Sequence, residues 1–159
     1  MTAQLQCLVT GATGYIGGRL VPELLRRGHQ VRAMARKPAK LDRADWRDQV
    51  EVVRGDLTEP ESLTAAFQGM DVVYYLVHSM ASSEAFEQME QEMAEVFVEA
   101  AERADLERVV YLGGLGHDAE KHSAHLASRH RVGEILAAGR TPVVELRAAV
   151  IIGSGSAPF

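Results

Sequence analysis

Two hydrophobic rhythms alternate along this chain. Short apolar runs fall at residues 6–10, 31–35, 50–54, 72–77, 108–112 and 143–152. Between them, apolar positions recur at helical spacing, as in Ile16, Leu20 and Leu24 within residues 15–27. Further helices are predicted from Pro60 to about Phe67, over 83–104 and over 125–138, while residues 41–48 read as a short helix or irregular chain. The unbroken Val73-Tyr74-Tyr75-Leu76 is what a central parallel strand, covered on both faces, requires. Gly28 stops the first helix. Thr58-Glu59-Pro60-Glu61 predicts a capped start for the second, with Pro in the first turn and acids complementing the helix dipole.

Strands joined by helical crossovers imply an α/β fold, a doubly wound parallel sheet in the order 3-2-1-4-5-6. At 159 residues the chain is one domain with room for a full core. Ligands of such sheets bind beyond the carboxyl ends of the strands, at the switch between strands 1 and 4. The final Gly-Ser-Gly-Ser-Ala-Pro-Phe is loop-like, and a substrate-binding C-terminal part is expected to lie outside these residues.

The first strand runs into Thr10-Gly11-Ala12-Thr13-Gly14-Tyr15-Ile16-Gly17-Gly18. A strand, a glycine turn and a helix start hold a dinucleotide pyrophosphate, because unpaired amides and the helix dipole converge there. Gly11 permits the sharp turn, Gly14 lets the backbone approach the phosphates, and Gly17 lets the helix lie close on the strand. Thr13, Tyr15 and Ile16 complete the cradle. The alternative is a tight turn that binds nothing.

Strand 2 ends Ala35-Arg36-Lys37, where an NAD-selecting site would hold an acid for the ribose 2′-hydroxyl. A guanidinium grips a 2′-phosphate, so NADP is favoured over NAD, with a solvated basic turn as the alternative.

Composition narrows the picture further. The chain is 47% apolar with formal charge −5. Its basic residues are dispersed, which argues against nucleic acid as a partner. No apolar run approaches the ~20 residues of a membrane span. The single cysteine, Cys7, reads as a small buried residue of a cytoplasmic protein.

The Gly-x-x-Gly-x-x-Gly spacing resembles the short-chain dehydrogenase/reductase superfamily. With residues 72–80 (Val-Val-Tyr-Tyr-Leu-Val-His-Ser-Met), 109–116 and 146–156, it resembles the bacterial, atypical NmrA-like group. There an NAD(P)-binding Rossmann domain is often followed by a C-terminal region of unknown function. The resemblance implies an oxidoreductase acting on a small molecule, or else a non-catalytic NADP(H)-sensing module. It implies that Asp56 meets the adenine amino group with Leu57 beside the ring. Asp56 also reads as a turn residue capping the next helix. Val77 and His78 would flank ribose and nicotinamide, His78 being equally a structural hydrogen-bonder.

The superfamily's Ser after strand 5 and its Tyr-x-x-x-Lys are not evident. Strand 5 leads into Leu112-Gly113-Gly114-Leu115-Gly116, and no tyrosine follows Tyr111. Aligning Glu134 with the family's acid puts His130 at the Lys position and Leu126 at the Tyr position. His130 can serve as a ribose ligand, but Leu126 cannot donate a proton, so His78 and His130 are the two candidates for catalytic acid–base work. Arg129, His130 and Arg131 serve the anionic cofactor or face water. His117, His122, His125 and His130 lack zinc-helix spacing, and no metal site is expected. Met89, Met93, Val96, Phe97 and Ala100 form a stripe assigned to the helical core or to a homodimer surface.

Overall fold

A computed structural model describes residues 3–77, 84–115, 124–149 and 151–155. Among them, six strands form one parallel sheet: β1 (Gln6–Val9), β2 (Gln30–Ala35), β3 (Glu51–Arg54), β4 (Val72–Tyr75), β5 (Arg108–Gly114) and β6 (Val143–Ala148). The order β3-β2-β1-β4-β5-β6 is the one expected. Four helices cross between strands: α1 (Tyr15–Arg26), α2 (Pro60–Phe67), α3 (Glu84–Arg103) and α4 (Ala124–Ala138). The ambiguous stretch after β2 holds two short 3-10 turns, Pro38–Leu41 and Arg47–Gln49.

The pleat sorts successive residues to two faces. Leu8, Val73, Tyr75, Val109 and Tyr111 pack with α2, α3 and α4. Cys7, Val9, Val31, Ala33 and Val72 pack with α1, Leu41 and Trp46. Phe67, Phe97, Tyr75 and Tyr111 form an edge-to-face chain through the first layer, with centroid separations of 4.9, 4.8 and 5.6 Å. Each such pair adds about 0.5–1.5 kcal/mol beyond its area burial. On the α1 face, cover thins toward β6, where Val144 and Leu146 are 41% and 54% exposed.

Several boundaries depart from expectation for local reasons. β4 stops at Tyr75 because the Leu76 amide donates to the Thr10 hydroxyl (3.1 Å), which itself donates to the Tyr74 carbonyl (2.8 Å). Thr10, fully buried, thereby ties the end of β1 to the end of β4. β5 continues through both glycines, which pair with Arg147 and Ala148 of β6. β6 ends at Ala148 rather than running to Ile152. Gly28, at φ +85°, follows the last turn of α1. The His29 and Gly28 amides bond back to Leu24 and Leu25, a Schellman closure. At α2 the N-cap is Glu59, which makes no side-chain cap bond; Ser62 ties the turn instead, accepting from the Asp56 amide at 3.0 Å.

Pro22 lies inside α1 and offers no N–H to the Gly18 carbonyl. The Trp46 indole donates to that carbonyl at 3.3 Å. The loop after β2 is thus fastened to the helix that carries the glycine turn.

Candidate functional site

A cleft of about 1090 Å³ opens at the carboxyl ends of the strands. Its walls come from the segment after every strand: Gly11 to Gly17 after β1, Arg36 after β2, Gly55 to Thr58 after β3, Leu76 and Val77 after β4, Leu115 after β5, and Ala149 and Ile151 after β6. This is the switch-point crevice the strand order requires. Its volume is at or above the ~300–1,000 Å³ of ordinary small-molecule sites.

At one end lies the glycine turn. Gly11 has φ +65°, a left-handed conformation that glycine adopts without a Cβ penalty. Its carbonyl accepts from the Gly14 amide at 2.9 Å, closing the turn. Gly14 is the N-cap of α1, with no side-chain cap and no acid in the first turn. Among the described residues, the amides of Tyr15, Ile16 and Gly17 have no backbone acceptor. The helix therefore presents unpaired donors and an uncompensated positive pole to the cleft, which is the chemistry of an anion cradle. A Cβ on Gly17 would stand 2.8 Å from the Ala12 Cα, so this glycine fits α1 to the turn itself as well as to the sheet. A Cβ on Gly14 would meet only the Gly11 carbonyl oxygen, at 3.2 Å. The residues present fit a dinucleotide diphosphate.

Gly11, Thr13, Gly14, Tyr15, Ile16, Gly17, Arg36, Asp56, Leu57 and Val77 all line the cleft. Lys37, exposed beside Arg36, does not. Among the described residues, neither Arg36 nor Lys37 has an ion-pair partner. Asp56 serves its turn through Oδ1, which accepts from the Thr58 amide at 3.0 Å and the Thr58 hydroxyl at 2.9 Å. Its Oδ2 meets no donor among the described residues. His78 lies outside the described residues, as do His117 and His122. The His130 imidazole sits 3.8 Å from Glu134 and is not part of the cleft wall.

The other end of the cleft is apolar, and the sequence reading missed it. Phe86, Met89, Glu90 and Met93 share one face of α3 at spacings of three and four, and all four line the cleft. Met89 and Met93 therefore belong to the cleft wall, while Phe97 and Ala100 of the same stripe belong to the core. Leu126 lines the wall from α4 and packs where a Cβ on Gly114 would be, 2.7 Å from its Cδ2. Gly114 thus makes room for an apolar side chain of α4 against β5. Arg129, one turn on, lines the cleft in place of His130.

Glu90 is 6% exposed and accepts a hydrogen bond from the Ser128 hydroxyl at 2.5 Å. The flanking Phe86 and Met93 were the signal that Glu90 faces inward on an otherwise solvent-facing acidic run. Tyr111 is committed to structure: its hydroxyl donates to the Arg129 carbonyl at 2.8 Å. Burial pushes the phenols of Tyr75 and Tyr111 well above the ordinary tyrosine range, so both stay neutral.

The strand order, the crevice and the amide cradle define a dinucleotide-binding α/β domain. The chain belongs to the NAD(P)H-binding family, whose model matches residues 11–150. It is 32% identical over 122 residues to a 3 beta-hydroxysteroid dehydrogenase/Delta 5-->4-isomerase of Mycobacterium tuberculosis, a match covering 70% of this chain and 32% of that protein. It is 30% identical over 150 residues to a ceramide reductase of Caulobacter vibrioides, covering 92% and 46%. The triphenylmethane reductase of Citrobacter sp., solved with NADP(H), superposes with a TM-score of 0.78 at 25% identity over 91% of this chain and 50% of that one. The chain thus spans 32% to 50% of the length of these proteins. Among the described residues no helix is long and apolar enough to cross a membrane.

Proposed function

We propose that this chain is the NADP(H)-binding domain of an atypical, NmrA-like short-chain dehydrogenase/reductase acting on a small molecule. The observation that carries the choice of NADP(H) is Arg36. It lines the cleft immediately after β2, has no ion-pair partner among the described residues, and follows Ala35 where an NAD-selecting site would hold an acid. In this reading the amides from Gly11 to Gly17 receive the diphosphate. Arg36 grips the 2′-phosphate and Lys37 adds charge from outside the wall. Asp56 offers Oδ2 to the adenine amino group, with Leu57 beside the ring and Val77 toward the second ribose. The bound dinucleotide supplies or accepts a hydride. The chain's own contribution is to bind, orient and exclude water through its apolar wall. The buried Cys7, the chain's one thiol, is in keeping with a cytoplasmic setting.

Calorimetric titration with NADPH and NADH tests this reading. One charge-assisted phosphate contact is worth about 1.5–3 kcal/mol, so NADPH should bind roughly 10- to 150-fold tighter. Arg36→Ala should narrow that preference. Equal affinities in the wild type would refute it.

Leu126 supports a second reading, a non-catalytic NADP(H)-sensing module, because a leucine offers no proton where the superfamily places tyrosine. NADPH oxidation with carbonyl or quinone acceptors separates the two. General acid–base catalysis contributes about 10²–10⁴-fold, so a domain without it should bind NADPH yet turn over far more slowly than a reductase.

A further inference from the structure

The apolar lobe of the cleft carries two polar groups of opposite charge, Glu90 from α3 and Arg129 from α4. We propose that they form a subsite for a hydroxyl group, so that the lobe takes a bulky apolar alcohol. The inference deepens the dinucleotide reading and rests on it, since it assigns the lobe that the cofactor leaves over.

A charged side chain in an apolar wall is costly unless it meets a partner. Glu90 is held by Ser128, which orients its carboxyl group. Arg129 is different. Its Nε is buried without a hydrogen-bond acceptor, and among the described residues its guanidinium has no ion pair. A buried orphan donor beside a cavity calls for an acceptor from a ligand or water. Ser128, whose hydroxyl holds Glu90, is the residue before Arg129 on α4, and both charged residues line the cleft, which brings them to the same part of it.

An acceptor carboxylate and a donor guanidinium around one spot select the head group. A hydroxyl satisfies both, donating to Glu90 and accepting from Arg129. An ether accepts from Arg129 but has no proton to offer Glu90. A carboxylate is opposed by Glu90 and an ammonium by Arg129, and either must also shed its hydration shell. Phe86, Met89, Met93 and Leu126 supply the surface for the apolar body. Methionines adapt to irregular shapes, which suits a bulky ligand.

The test is a head-group series on one tail: 1-octanol, octyl methyl ether, octanoate and octylammonium, titrated calorimetrically with and without saturating NADP⁺. Wild-type protein should prefer octanol at least tenfold over each of the others. Glu90→Gln should admit octanoate, and Arg129→Gln should admit octylammonium, each variant reversing one exclusion and leaving the other. A merely structural Glu90–Ser128 tie would lower the Tm of Glu90→Gln without changing the order of the probes. Octanoate, octylammonium or the ether binding wild-type protein as tightly as octanol overturns the proposal, as does failure of all four to bind. Should a variant not fold, the wild-type series still decides. NADPH affinity, measured separately, reports on the dinucleotide reading alone.

Discussion

Gly14 and Gly17 stand three residues apart in the same turn, yet they should fail in opposite ways when given a side chain. A Cβ on Gly17 would lie 2.8 Å from the Ala12 Cα and 2.9 Å from the Gly11 carbonyl carbon, both backbone atoms. Carbon atoms rest about 3.5–4.0 Å apart, so the turn must shift by roughly 0.7 Å or more. Overpacking of that kind costs about 1–3 kcal/mol. At about 2–4 °C per kcal/mol, Gly17→Ala should lower Tm by roughly 2–12 °C. It should also weaken dinucleotide binding, because the atoms displaced are those of the cradle. Gly14 has an ordinary φ of −85°. Its nearest neighbour to an added Cβ is one carbonyl oxygen at 3.2 Å, and otherwise the new group projects into free space. Gly14→Val should therefore keep most of the stability, losing about 1 kcal/mol or less through the N-cap exchange. It should nevertheless abolish NADPH binding by filling the approach to the phosphates. Thermal denaturation followed by circular dichroism, with NADPH fluorescence titration on the same samples, separates the two effects. Wild-type affinity in a folded Gly14→Val protein would show that the diphosphate lies elsewhere. A Gly17→Ala protein as stable as wild type would refute the packing argument.

The Trp46–Gly18 bond predicts a non-additive pair. Trp46→Phe strands the Gly18 carbonyl and should cost about 1–3 kcal/mol, whereas in a Pro22→Ala background, where residue 22 regains an N–H, denaturant titration should show a smaller cost; equal costs would show that the indole bond contributes nothing. Cys7 should resist thiol reagents in the native state at pH 8 and label only on unfolding, because burial, helped by the Asp71 charge, pushes its thiol from 9.0 up to about 11. The raised value means that this group's contribution to stability is intact below pH 9 and is lost as pH rises through 11; rapid labelling at pH 8 of protein shown to be folded would contradict it.

What the sequence disclosed and what it hid divide along a physical line. Strand order, helix count and the glycine cradle follow from local rules, a period of two or 3.6 and a backbone that only glycine allows. The groups that distinguish this cleft from others of its fold depend on which helix face meets which strand end. Glu90 reads in sequence as one acid in a run of exposed acids, and only its neighbours Phe86 and Met93, four before and three after, betray an inward face. Arg129 lies between Ser128 and His130 in a polar stretch where any of the three could face inward. Gly114 leaves room for Leu126 against β5, while the Ser128 hydroxyl bonds Glu90 and the Tyr111 hydroxyl bonds the Arg129 carbonyl, and these contacts together set the face that α4 presents. Residue 129 lies in the cleft wall on that face, and residue 130 lies outside it, 3.8 Å from Glu134 one turn further along α4. Contacts from β5 and α3 thus decide which cation of α4 lines the cleft, a choice no periodicity along the chain can encode.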